Sequence, residues 1–140
     1  LDAWRSSTVP RLYGTIGLTG PDPVREVAAA LKREIDPGDR IWVVNYHPTV
    51  HVLAEAGLAT RYAFPAQLTG RYWSVTGIDP YAEVERILST TPQVIVIDRG
   101  WWSGVRPRIA AMVDEALAEN YDLASVVQED RGPVEIWRLK

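Results

Sequence analysis

The sequence predicts an α/β domain: a three-layer sandwich built on a mixed, mostly parallel sheet that ends in an antiparallel C-terminal hairpin. Three observations carry that expectation. Twice, at residues 22–44 and 79–97, an Asp-Pro pair opens a helical apolar stripe, and a short apolar run follows. Such helix–strand alternation implies parallel strands covered by helices. Residues 123–139 then change character, with strand-like runs at 123–127 and 134–139 around Asp130-Arg131-Gly132 that read as a hairpin.

Residues 1–21 carry glycine, proline and polar positions without periodicity and read as an extended lead-in to a single domain at 22–140. Gly14, Gly17 and Gly20 hint at a phosphate loop, but no lysine follows and Pro21 interrupts, so the grammar of a phosphate cradle is missing. Asp22 can cap the first helix, and Pro23 suits its first turn because proline has no N–H to leave unpaired there. Val24, Val27, Ala28, Leu31 and Ile35 form its apolar stripe, and Asp36-Pro37-Gly38-Asp39 stops it. Residues 41–44 make a buried strand ending at Asn45 and Tyr46.

A short helix is expected at 48–56, closed by Gly57 in the usual C-terminal glycine position, with a short strand at 61–64 and a loop at 65–77. The Asp79-Pro80 helix turns Tyr81, Val84, Ile87 and Leu88 to one side and leads into the strand at 94–97. A last amphipathic helix places Val105, Ile109, Met112, Val113, Ala116 and Leu117 on one face, before strands at 123–127 and 134–139.

Bulk properties exclude several function classes. A chain of 140 residues is long enough for one core without staples. With 46% hydrophobic and 24% charged residues it is not a disordered chain. A net charge of -3 argues against nucleic-acid binding, which favours a basic surplus. The absence of cysteine removes disulfides and thiolate metal sites. Arginine outnumbers lysine 13 to 2, a bias typical of a GC-rich bacterial genome. No apolar run reaches the ~18 residues of a membrane span, and the start at Leu1 suggests a piece of something longer.

Catalytic motifs are sparse. His47 and His51 have the spacing of two ligands on a helical face, but Pro48 lies between them and only Glu55 is near as a third ligand. The plainer reading puts His47 at a loop and His51 exposed on the helix. No nucleophile elbow, cysteine or glycine-rich nucleotide turn is present, so neither a catalytic residue, a metal nor a cofactor is expected.

The two strand ends stand out instead. Ligands of open parallel sheets gather beyond the carboxyl ends of the strands. One end offers Asn45, Tyr46 and His47, and the other offers Asp98, Arg99, Trp101 and Trp102, with Arg106 and Arg108 adding positive charge. If the two strands are neighbours, these loops meet as a binding or interaction surface. Either one tryptophan of the doublet closes the core and the other is half exposed, or the doublet faces a sugar, a lipid headgroup or a partner protein. Aromatic rings with arginine suit all three.

Residues 37–68, PGDRIWVVNYHPTVHVLAEAGLATRYAFPAQL, resemble the C-terminal region of membrane-embedded glycosyltransferases that use a polyprenyl-phosphate sugar: protein mannosyltransferase-like (glycosyltransferase family 39) and aminoarabinose transferase-like proteins. The matching features are the Pro37-Gly38-Asp39 turn, the strand at 41–44, Pro48, and Thr60-Arg61-Tyr62 with Phe64-Pro65. The order of later elements is also similar, so the resemblance covers roughly residues 22–139. The loop at 67–73 and the Trp101-Trp102 doublet depart from the pattern. The resemblance implies an extracytoplasmic domain that is not catalytic alone. Its expected partners are the membrane domain of the same polypeptide and a lipid-linked sugar or acceptor. The alternative is a free-standing binding domain for a small polar ligand, or a protein-interaction module.

Overall fold

The computed structural model describes residues 22–72 and 77–140. The expected lead-in at 1–21, with its three spaced glycines, and Trp73 lie outside the described residues. Helix α1 (Pro23–Lys32) begins where the Asp22 carboxylate accepts the Val24 N–H at 3.1 Å. Strand β1 (Arg40–Val43) leads to α2 (Thr49–Ala54), β2 (Gly57–Leu58) and α3 (Pro65–Thr69). Helix α4 (Pro80–Ser89) is capped in the same way, with the Asp79 carboxylate accepting from Tyr81 N at 2.9 Å and Ala82 N at 3.2 Å. Strand β3 (Val94–Asp98), a 3-10 turn (Arg99–Gly104), α5 (Pro107–Asn120), β4 (Tyr121–Glu129) and β5 (Gly132–Leu139) complete the chain.

The five strands form one mixed sheet in the order β2-β1-β3-β5-β4. Strand β1 runs parallel to β2 and β3, while β5 is antiparallel to both β3 and β4. The C-terminal hairpin is therefore present as expected. The neighbour pairings divide evenly between parallel and antiparallel, so the sheet is mixed without a parallel majority. Nothing in the sequence said that the hairpin would dock β5, rather than β4, beside β3.

Side-chain alternation along the strands splits the core in two. Ile41 and Val43 of β1, with Val94 and Val96 of β3, join Val24, Val27 and Leu31 of α1 and Val50 of α2. Trp42, with Ile95 and Ile97 of β3, joins Leu68 of α3, Val84 and Ile87 of α4, and Ile109, Val113 and Leu117 of α5. The register Ile41↔Val94, Trp42↔Ile95, Val43↔Val96 keeps each set on its own face, which is what the period-2 pattern of a strand demands. Full burial of one such valine, leucine or isoleucine side chain is worth roughly 1.5–3 kcal/mol. All five residues of β3 are buried.

Four local expectations are corrected. The short strand lies at Gly57–Leu58, not at 61–64. Helix α2 ends on Glu55, which adopts the left-handed conformation at φ 57°, and not on Gly57. Gly57 serves strand packing instead, because a Cβ there would stand 3.2 Å from the Gly38 carbonyl oxygen and 3.3 Å from that of Asp39. The expected loop at 65–77 begins with α3, started by Pro65 at its N-terminus. Finally, His51 is buried at 9% exposure, because α2 turns that side of the helix inward with Val50 and Ala54. Among the described residues no helix is long and apolar enough to cross a membrane.

Burial lowers the His51 pKa to about 4, and its Nδ1 has no hydrogen-bond partner among the described residues. Because the unfolded chain titrates near 6.5, at about the ordinary histidine value, it takes up a proton before the folded one does. The histidine's contribution to stability is thus intact above that value and falls as pH drops from about 6.5 towards 4. Urea midpoints at pH 7.5 and 5 measure this. The expected result is that His51→Leu removes a clear part of the acid-side loss, and an unchanged pH slope in that variant would contradict the assignment.

Candidate functional site

Because β1 and β3 are parallel neighbours, their carboxyl ends open on the same edge of the sheet. The chain fastens these ends side chain to backbone. Asn45 Nδ2 donates to the Asp98 carbonyl oxygen at 2.8 Å, and the Asp98 N–H donates back to Asn45 Oδ1 at 2.8 Å. Asn45 thereby takes the place of one more ladder residue past the end of β1. The Asp98 carboxylate accepts the Gly100 N–H at 2.8 Å and so starts the 3-10 turn that carries the tryptophan doublet.

The hairpin supplies a third wall. Since β5 is antiparallel to β3 with Asp98 opposite Val134, the β4–β5 turn lies at the same edge as these strand ends. The Tyr46 hydroxyl donates to the Glu129 carboxylate, linking the segment after β1 to the end of β4. The Arg131 guanidinium lies 4.8 Å from the centre of the Trp101 ring. Beneath them the backbones touch, because a Cβ on Gly100 would stand 2.6 Å from the Arg131 carbonyl oxygen. A Cβ on Gly132 would likewise meet Gly100 Cα at 3.0 Å.

The fourth wall is α3 and the residues after it. The Thr69 hydroxyl lies 2.6 Å from the Val44 carbonyl oxygen, and Gly70 bridges to Val105. The Arg71 N–H donates to Gly104 O at 2.8 Å, and the Arg106 N–H donates to Thr69 O at 2.9 Å. Together the walls enclose an open cleft of about 690 Å³. Tyr46, Thr69 and Asp98 are buried in its floor, with Asn45 and Glu129 half buried, and His47, Phe64, Arg71, Tyr72, Trp101 and Arg131 stand exposed around its mouth.

The floor is acidic and reluctant to ionise. Burial raises the Asp98 pKa, against the N–H groups of Gly100 and Trp101 and the positive charges of His47 and Arg131. Burial also raises that of Glu129, helped by the charges of Asp98, Asp130 and Glu26 and opposed by the Tyr46 hydrogen bond. Burial and the Glu129 bond hold the Tyr46 hydroxyl far above the ordinary phenol value, so it remains a donor at any working pH. Chemically the floor can accept hydrogen bonds from hydroxyl groups, and the mouth can stack on flat or apolar ligand faces and meet anions. Among the described residues no group of histidines and carboxylates could hold a metal ion.

Of the strand-end residues singled out in the sequence, Asn45, Tyr46, His47, Asp98 and Trp101 line this cleft, and Arg99, Trp102 and Arg106 do not. Arg99 turns away to Glu135, at 2.7 Å, and Asp114, at 3.1 Å, with its guanidinium 4.6 Å from the Trp102 ring centre. Trp102 is half buried against the second core cluster. The doublet thus divides, with one ring against the core and the other 52% exposed. The positive cluster expected from Arg99, Arg106 and Arg108 is dispersed, since Arg108 sits 4.5 Å over the Tyr81 ring. Sequence reasoning missed Glu129 and Arg131, and also Phe64, Arg71 and Tyr72. The hairpin pair had a usable signal: an antiparallel strand beside β3 must bring its preceding turn to the carboxyl edge.

Asn45→Ala is expected to cost about 1–3 kcal/mol, because it leaves the N–H and C=O of Asp98 without their partner. Asn45→Asp should recover little, since a carboxylate cannot donate to the Asp98 carbonyl. Denaturant unfolding measures both, and a loss below about 0.5 kcal/mol would show that the clasp is dispensable. No family model, curated protein or solved structure matches this chain, so the reading of the cleft rests on its own geometry.

Proposed function

We propose that this is the extracytoplasmic C-terminal domain of a membrane-embedded glycosyltransferase that draws on a polyprenyl-phosphate sugar. In this reading the domain transfers nothing by itself. Its cleft covers the active site of the membrane domain of the same polypeptide and positions the acceptor there. The resemblance at residues 37–68 suggested the family, and the three-layer arrangement belongs to the same reading.

The observation that carries the reading is the composition of the cleft. An exposed indole, Trp101, stands above two buried or half-buried carboxyl groups, Asp98 and Glu129, with the Tyr46 hydroxyl between the strand end and the hairpin. A sugar ring presents C–H groups on one face and hydroxyls at its edge. An aromatic face with carboxylate acceptors answers both. The same chemistry supports the rival, a free-standing domain that binds a small polar ligand, because every group is supplied by this one chain.

Two measurements test the proposal. The purified chain should show no transfer from a polyprenyl-phosphate sugar, and turnover by it alone would overturn the non-catalytic role. Soluble oligosaccharide acceptors should shift the Trp101 indole and Asp98 amide NMR signals saturably. Trp101→Ala should weaken that binding by about fivefold to tenfold, the effect of losing one stacked ring. Saturable shifts confined to another face would place the acceptor elsewhere.

A further inference from the structure

Among the described residues the large exposed hydrophobic side chains include three aromatic rings: Phe64 at 60%, Tyr72 at 84% and Trp101 at 52%. All three line the mouth of the one cleft, although they come from the start of α3, the segment after it and the 3-10 turn. Scattered exposed rings on a small domain have no reason to converge in this way. A contiguous patch of large apolar groups marks a surface that meets something other than water. The tethers described above, Arg71 N–H to Gly104 O and Gly70 to Val105, hold the two sides of the mouth in one frame.

The charges at the mouth are of one sign. Its exposed basic members are His47, Arg71 and Arg131, whereas its carboxyl groups, Asp98 and Glu129, are withdrawn to the floor. Neither arginine is in an ion pair among the described residues, although the chain as a whole carries a net charge of -3. The mouth is thus a cationic, aromatic spot on an acidic molecule. Aromatic rings with an apolar body and a polar edge, set beside arginines, are what the headgroup layer of a membrane accommodates.

We propose that the cleft mouth docks on an anionic lipid bilayer, with Phe64, Tyr72 and Trp101 entering the headgroup layer and Arg71 and Arg131 meeting lipid phosphates. The charge pattern fits this occupant, because a negatively charged surface attracts the mouth while repelling the rest of the molecule. The hollow points the same way. A protein partner would need a knob to fill about 690 Å³ between the rings, whereas lipid headgroups are fluid and conform to it. This goes beyond the glycosyltransferase reading and does not depend on it, since docking asks nothing of the donor or acceptor.

Vesicle flotation of the 140-residue chain tests the proposal, with phosphatidylglycerol–phosphatidylcholine vesicles against phosphatidylcholine alone. The expected result is binding to the anionic vesicles only, weakening as salt rises. Replacing Arg71 and Arg131 together by glutamate should lower the partition coefficient at least tenfold, at about fivefold per arginine removed from the surface. Because Arg131 also packs on Trp101, a second variant, Phe64→Ser with Tyr72→Ser, alters only side chains that are mostly in solvent. That variant should keep its circular dichroism and lose most of its partitioning. The proposal is overturned by absence of binding to anionic vesicles, by equal binding to neutral ones, or by unchanged binding of the serine variant. Saturable capture of a protein partner by the mouth without vesicle binding overturns it too. Acceptor titrations in vesicle-free buffer report on the glycosyltransferase reading separately.

Discussion

Strand β3 is buried along its whole length, and every peptide group in it must therefore be paired by a neighbour. It solves this with a parallel partner on one side, β1, and an antiparallel one on the other, β5. The rest of the architecture follows from that double pairing. The parallel partner brings two carboxyl ends to one edge, and the antiparallel partner brings a hairpin turn to the same edge. Where the ladder runs out, Asn45 continues it by side chain, and Asp98 starts the next turn with its own carboxylate. The cleft is built where β1 and β3 end and the hairpin of β4 and β5 runs on past them.

The two faces of the sheet contribute differently to this edge. On one, Val43, Val96 and Val134 pack against α1 and α2, and Tyr46 continues that surface up to Glu129. On the other, Trp42, Val44 and Ile97 cluster with Leu68 of α3 and Trp102 of the 3-10 turn, and Trp101 of that turn and Arg71 and Tyr72 after α3 stand at the mouth. Acceptors thus come from the first side and the strand ends, while rings and cations come mainly from the second. The division of apolar core into two clusters sets the division of chemistry in the cleft.

Much of this was legible in the sequence. Both Asp-Pro caps, the apolar runs at 41–44 and 94–97, the last helix and the hairpin were readable, because each relies on local hydrogen bonding or strict periodicity. The meeting of Asn45, Tyr46 and Asp98 followed from one topological assumption, that β1 and β3 are neighbours. What stayed hidden depends on distance or brevity. Helix α3 has five residues, too few for a period to show. Strand β2 has two. Arg99 reads as a strand-end cation until Asp114 and Glu135, 15 and 36 residues away, are seen to claim it. Glu55 in the left-handed conformation beside an available Gly57 breaks a sound local rule, because the glycine was needed for close approach to the backbone at Gly38 and Asp39.

The contact between Gly100 and the hairpin turn is absent from any side-chain inventory, since it is the backbone of Arg131 and Gly132 that meets Gly100. It makes the hairpin a gauge. Asp130 and Arg131 are the two turn residues between Glu129, the last of β4, and Gly132, the first of β5. With Val134 opposite Asp98 and the two glycines abutting, the count of residues from strand to tip is fixed. A slip of one position would shift Arg131 from its place over Trp101 and bring Asp130 towards it, cancelling part of the positive charge that Arg71 and Arg131 give the mouth. Part of the charge of the opening thus depends on a distance between two residues that have no side chains.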